Sequence, residues 1–397
     1  MDTDNTSSWR STLFVMFVAQ LLSIVGFAFV LPFIPFYLRE IGVTDEKLVP
    51  VWAGILGAAS GLTMTIFAPI WGWLSDRYGR KLMVERAMFT GGFITMAMGM
   101  VDNVYQLLIL RLLAGAFTGT ITASISLVSA VLPSTKLGFG LGLMQVAVFL
   151  GMSLGPWIGG MIADIFGYRL TFIAGGVVLL VGGIMVMMMA KEQFIRPSAV
   201  TLKRSGGMWT LLTLPGFMSL MVVFFLFNFS IHIAIPILPL FIEEVGNLKT
   251  RVATTTGMLF AVTAATASIS AAVIGYWSDR RGHKPVLIVN LFITGILWVA
   301  HVLARNIDQL LFVRILFGFV AGGNIPTMNA LVGKLTPRES YGKAYGLMAS
   351  MTSLGMTLGP LAGGIMASYM GLRWPFVVVS LLLILVVIPI ILTLKTR

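Results

Sequence analysis

Three ionisable side chains stand inside long apolar stretches of this 397-residue sequence: Arg111, Arg314 and His232. An arginine well inside a membrane helix costs a few kcal/mol unless it faces a cavity or a partner. Arg111 in YQLLILRLLAG and Arg314 in DQLLFVRILFG hold the same place in similar segments, which makes both candidates for function. The plainer alternative is that they snorkel outward to the head groups. All fifteen acids fall in loops or near the ends of apolar stretches. That leaves His232, in NFSIHIAIP, as the remaining buried titratable group. Imidazole changes charge near physiological pH and suits a proton carrier, although a lone helical histidine is more often a hydrogen-bonded packing residue. Gln20, Gln145, Asn228, Asn324 and Asn329 are further polar side chains that could line a cavity. Cysteine is absent, His232, His283 and His301 share no metal spacing, and the glycine runs lie inside apolar stretches. No metal, cofactor or catalytic constellation is therefore expected, and an enzyme is disfavoured.

Such residues need elements that carry them into a bilayer. The chain is 57% hydrophobic and 11% charged, with a mean hydropathy of +0.95. A soluble domain carries about 25% charged residues, so a polytopic membrane protein is the class indicated. The net charge of +12 raises the question of nucleic acid, but no basic patch lies free of the apolar segments to bind it. Stretches of the roughly 20 residues needed to span a bilayer occur twelve times. They lie near 13–38, 49–74, 82–101, 105–130, 138–165 and 169–190, then 210–242, 253–277, 285–304, 308–332, 342–369 and 373–394. The opening MDTDNTSSWR lacks the basic start of a signal peptide, so the first stretch is expected to be a structural span.

The sequence repeats itself. GWLSDRYGRK at Gly72–Lys81 returns as GYWSDRRGHK at Gly275–Lys284, 203 positions on. Pro32 and Pro35 match Pro236 and Pro239, Gln106 and Arg111 match Gln309 and Arg314, and Gly151, Gly155, Pro156, Gly159 and Gly160 match Gly355, Gly359, Pro360, Gly363 and Gly364. His232 corresponds to Ala28, so duplication did not supply it. The motifs keep their order, and six spans return the chain to its starting side, so the repeat is parallel. Such repeats place a substrate site between the halves near mid-membrane. Symmetry of depth between the seventh and tenth spans would bring His232 near Arg314.

Each copy of the decapeptide joins two spans and is expected to be a short polar hairpin. Gly72 and Gly79 would allow close helix approach and a left-handed turn. Asp76 can accept from backbone amides at a helix N-terminus, while Arg77, Arg80 and Lys81 stay with water and anionic head groups. The same holds for Asp279, Arg280, Arg281 and Lys284 in the second copy. In the fifth span, Gly151, Gly155 and Gly159 at four-residue spacing lie on one helix face, Gly160 adjoins them, and Pro156 removes a hydrogen bond and should bend the helix.

The decapeptide between the second and third spans resembles the signature loop of the major facilitator superfamily. What the resemblance implies is a latch on the cytoplasmic side, with Asp76 touching a helix of the other half. The pattern Gly151 to Gly160 is similar to the antiporter signature of that superfamily's 12-helix drug/proton branch, and GFAFVLPFIPFYL resembles the branch's first helix. Arg111 to Gly115 resembles the fourth-helix motif whose arginine is thought to influence proton transfer, although Ala114 stands where a glutamine is usual. The resemblance implies a secondary transporter that exports small amphipathic or cationic compounds in exchange for protons, the proton being the coupling ion. A departure is that several drug antiporters of this branch carry a carboxylate in the cavity, and this chain has none in its first, fourth or fifth span.

The expected organisation is a six-helix half at 1–190, a basic linker at 191–209 and a second half at 210–397. Placing both termini in the cytoplasm puts most of the 27 Lys and Arg on that side, as the positive-inside rule asks of a plasma-membrane protein. The expected partners are a small-molecule substrate and the lipid bilayer, with the chain a monomer. The rival readings are a proton-coupled carrier of one defined solute, such as a sugar or metabolite, and a non-transporting membrane sensor.

Overall fold

A computed structural model describes residues 3–192, 214, 216–336 and 340–393. The linker expected at 191–209 lies outside the described residues, apart from its first two positions. Helices account for nearly everything else. In the first half they are α1 (Thr3–Ala28), α2 (Ile34–Glu40), α3 (Leu48–Tyr78), α4 (Arg80–Met98), α5 (Val104–Phe117), α6 (Thr120–Val131), α7 (Leu137–Phe166) and α8 (Tyr168–Met189). In the second they are α9 (Phe217–Ala234), α10 (Leu238–Gly246), α11 (Val252–Arg281), α12 (His283–Leu303), α13 (Ile307–Ala321), α14 (Asn324–Leu335), α15 (Tyr341–Met370), α16 (Trp374–Leu385) and α17 (Val387–Thr393).

These group into twelve spans in two six-helix halves, with α1–α2, α5–α6, α9–α10, α13–α14 and α16–α17 each forming one interrupted span. Among the described residues, ten stretches are long and apolar enough to cross a membrane. The other two spans are α4, which carries Arg80, Lys81, Glu85 and Arg86 in its opening turns, and the 30-residue α15.

The interruptions have local causes. Pro32 and Pro35 lack the amide that would continue α1, and Pro236 and Pro239 end α9 at the matching place. The fourth span breaks at Gly119, whose φ of +107° is a left-handed value that side chains with a Cβ avoid. Helix starts repeat as well. Asn103 accepts from the Tyr105 and Gln106 amides, and the Gln106 side chain accepts back from the Asp102 amide. Asn306 and Gln309 do the same at α13, so the matched glutamines belong to reciprocal caps that satisfy helix-end amides.

The described residues fall into two compact units. One is built from Met1–Gly42, Leu62–Ala199 and Thr250–Ala261, the other from Val43–Gly61, Val200–Lys249 and Val262–Arg397. Each unit thus includes the opening turns of the second-span helix that belongs to the other half of the sequence. In the first unit, Met16, Ala19, Met88, Leu127, Val128 and Val186 form a buried apolar cluster. At the end away from the signature loop, Arg169 reaches Glu40 (3.5 Å) and Asp102 (3.2 Å). Arg373 meets Glu244 at 3.6 Å in the second unit, so the duplicated architecture keeps a duplicated ion pair.

Candidate functional site

The glycine face of α7 is built against α1. A Cβ added at Gly151 would meet Ile24, one at Gly155 would lie 2.6 Å from the Ala28 Cβ, and one at Gly159 would lie 2.5 Å from the Phe29 carbonyl oxygen. Gly160 faces the Ala253 carbonyl at the start of α11, and α7 runs unbroken through Pro156. The second unit repeats the scheme: Gly355 packs on Asn228 and Phe229, Gly359 on His232, Gly363 on Ile233 and Gly364 on Pro50. These are backbone-to-backbone approaches that only glycine permits without a shift. Beside them the Asp164 carboxylate accepts from the Ala253 amide (3.2 Å) and the Thr254 amide (2.7 Å), capping α11. Sequence reading passed over Asp164; its signal was an acid at the end of one span facing a helix start.

The signature loop turns at Gly79, with φ +103°, and its copy turns at Gly282, with φ +91°. Gly72 departs from expectation, because a Cβ there would meet nothing within 4 Å, and Gly275 is the same. Their spacing suggested close approach, but both point into open space. The Asp76 side chain lies outside the described residues, so its partner is not described. Arg77 lies over Trp73 and Tyr78, and Arg280 over Tyr276 at 4.3 Å. Asp279 sits 3.8 Å from His283 Nε2, while His283 Nδ1 is 3.1 Å from the Ser278 hydroxyl. The Glu192 carboxylate accepts from the Arg80 amide (3.0 Å) and the Lys81 amide (2.8 Å), capping α4. Glu192, at the start of the linker expected from sequence, holds the loop from just beyond the end of α8.

Within the second unit, Arg314 and His232 have different surroundings. Arg111 is half-buried in α5, and Arg314 is buried in α13 with Trp298 and Phe317 rings each 5.7 Å from its guanidinium carbon. The histidine that shares those rings is His301, at 4.8 Å from Trp298 and 5.4 Å from Phe317. His232 instead lies on the α9 face that packs against Gly359, and its Nδ1–H donates to the Asn228 carbonyl at 2.7 Å. Equal depth in two helices did not bring their side chains together, because depth says nothing of which face each residue occupies. His232, expected to be the buried histidine, is half-buried, whereas His301 is fully buried and His283 nearly so.

Gln20 is buried on α1 with both amide atoms lacking a partner, close in sequence to Ser23, which donates to Thr120 at 2.8 Å. Asn228 donates to the Phe224 carbonyl, and Asn324 to the Thr294 hydroxyl. The Asn329 backbone carbonyl accepts from Tyr345, and Gln145 is exposed on α7. Among the described residues no group of three His, Cys, Asp or Glu side chains could hold a metal ion.

The first unit also encloses a pocket of about 240 Å³ among α3, α4, α5 and α6, reaching Gly72 and Ser75 of the signature loop. The Arg86 guanidinium lies 3.4 Å from the centre of the Trp71 ring, and Trp71 Nε1 donates to the Ala116 carbonyl at 2.6 Å. Sequence reading passed over Arg86, near the start of the span at 82–101, and only the side-chain packing around it reveals it as a pocket residue.

Twelve spans in two repeated halves, with a signature loop in each copy, define a membrane transporter architecture. The sequence model of the Major Facilitator Superfamily matches residues 16–267 and 252–397, and the chain belongs to that family. It is 31% identical over 378 residues to the multi-drug resistance efflux pump PmrA of Streptococcus pneumoniae serotype 4 (strain TIGR4), covering 94% of each chain. It is 29% identical over 380 residues to the multidrug resistance protein MdtG of Escherichia coli (strain 55989), covering 96% of this chain and 93% of that one. Among solved structures, a bacterial homologue of the human lysosomal transporter Spinster, in an inward-facing and occupied conformation, superposes with a TM-score of 0.82. That match has 14% identity and covers 96% of this chain and 95% of the other, a likeness of fold. The family is one of membrane transporters rather than enzymes.

Proposed function

We propose that this chain is a multidrug exporter of the plasma membrane, moving small amphipathic or cationic organic compounds outward in exchange for protons. The observation that carries the reading is the likeness, along 94% of the chain, to a relative named as a multidrug efflux pump. The glycine face of α7 adds to it, since Gly151, Gly155 and Gly159 have the spacing of the antiporter signature and sit against α1. Transport proceeds by alternating access, the two six-helix halves moving relative to one another with substrate and proton bound in turn. The chain works as a monomer with both termini in the cytoplasm, and its partners are the substrate and the surrounding lipid. His232 is the first candidate for the proton, because its Nδ1–H is committed to the Asn228 carbonyl and Nε2 is left to accept. Asp76, with Arg111 biasing the field, is the alternative.

Expression in a bacterial host stripped of its own pumps tests the reading. Ethidium should accumulate less in expressing cells, and an uncoupler should abolish the difference. Equal accumulation with and without the protein, at verified expression, would remove drug export.

A further inference from the structure

The pocket of the first unit holds a buried guanidinium. Among the described residues, Arg86 is the one charged residue in its lining. Its Nε and Nη1 are buried and have no hydrogen-bond partner, and the buried Ser75 hydroxyl on the same wall has none either. Polar groups removed from water without partners are costly, a guanidinium most of all, so three idle donors on one cavity are a demand for an acceptor. The guanidinium is held in place by its stack on Trp71, and Trp71 in turn by its bond to the Ala116 carbonyl.

The fold itself does not require this arrangement. In the duplicated half the positions of Trp71 and Arg86 are taken by Ile274 and Val289. The position of Ser75 is taken by Ser278, whose hydroxyl is spent on the Gly275 carbonyl. The charge therefore belongs to the first half alone. Thr122 and Ser126, one turn apart on α6, and Thr118, whose hydroxyl donates to the Ala114 carbonyl, add hydroxyls to the lining, while Met64, Ala68 and Met83 add apolar wall. A volume of about 240 Å³ equals roughly eight waters at about 30 Å³ each and falls below the ~300 Å³ at which drug-sized pockets begin. It suits a head group and the first carbons of a tail.

We propose that this pocket binds one oxyanion head group, a carboxylate or phosphate carried on an apolar body, with Arg86 and Ser75 donating to it. Bidentate capture by guanidinium with a hydroxyl beside it is the chemistry that recognises such a group. The oxyanion comes either from a membrane lipid or from a free amphiphile, and the two sources are separable by experiment.

The probe is hexyl phosphate, titrated calorimetrically into the full chain held in phosphatidylcholine nanodiscs, with hexanol as the uncharged comparison and empty discs subtracted. Hexyl phosphate should bind and hexanol should not. Arg86→Gln should weaken binding about tenfold or more, as expected when a charged hydrogen-bond donor is removed. Ser75→Ala should weaken it less, and Arg86→Lys should restore part of what Arg86→Gln loses. In discs containing phosphatidylglycerol, loss of hexyl phosphate binding identifies the lipid as the occupant, whereas unchanged binding assigns the site to a free amphiphile. Wild-type affinity in Arg86→Gln, or no preference for hexyl phosphate over hexanol, overturns the proposal. Should Arg86→Gln fail to give a monodisperse protein, wild-type affinity in both Arg86→Lys and Ser75→Ala overturns it equally. Binding is read without a gradient, so the result is independent of whether the chain exports drugs.

Discussion

Adding one methyl group to α7 should have opposite effects at two of its glycines. A Cβ at Gly159 would stand 2.5 Å from the Phe29 oxygen, 2.6 Å from its Cα and 2.9 Å from its carbonyl carbon. All three are backbone atoms where α1 has just ended, so no rotamer change relieves the clash and the helices must separate. Overpacking of this kind costs about 1–3 kcal/mol, against which alanine's better helix propensity returns up to ~1 kcal/mol. Gly159→Ala should therefore be destabilised by about 1–2 kcal/mol. At Gly142, on the same helix, a Cβ would meet nothing within 4 Å, so Gly142→Ala should gain roughly 0.5–1 kcal/mol. The duplicated pair, Gly363 and Gly346, has the same two environments and should repeat the contrast. Thermal unfolding of the purified variants in one detergent provides the comparison. Equal shifts for Gly159→Ala and Gly142→Ala would refute the inference that α7 meets α1 through backbone contact at this face.

Larger side chains at the same face, Gly155→Leu and Gly159→Leu, should block transport while leaving membrane insertion intact; activity retained in both would reduce the glycines to passive packing. Asp76→Asn should abolish most transport at normal expression, since a charge-assisted contact available in one conformation is lost, whereas Asp279→Asn should be milder because its loop carries His283 in place of an arginine. Near-wild-type transport by Asp76→Asn would remove the latch. Asp164→Ala deletes the cap on α11 and should cost about 1 kcal/mol of thermal stability, an effect that a merely exposed acid would not produce. His232→Gln should keep substrate binding but lose acceleration by a pH gradient; an unaltered response would make His232 a packing residue and move the proton to Asp76 or another helix-end acid.

The spans, their pairing into halves and the glycine face were legible because each rests on a pattern repeated within the chain. Apolar length announces a span, and a repeated Gly151-to-Gly160 spacing announces a close approach whose partner, α1, the structure supplies. The interruptions at Gly119 and near Gly322 were hidden because the flanking helices together have the length and hydropathy of one span. Gly72 misled because a motif glycine can serve a turn, a contact or open space, and sequence does not distinguish these. His301 and Arg314 share the Phe317 ring, and Arg86 stacks on Trp71, each between consecutive helices. Such pairs depend on the rotation of each helix about its own axis, which hydropathy alone leaves undetermined.

The central claim is outward drug movement driven by protons. Purified protein reconstituted in liposomes, given a panel of dyes and antibiotics and an imposed pH gradient, tests it most directly. Dye should move against its own gradient when protons can run the other way, and collapse of the pH gradient by an ionophore should stop it. Dye movement that is indifferent to the pH gradient, or uptake of one defined solute alongside its protons, would contradict it.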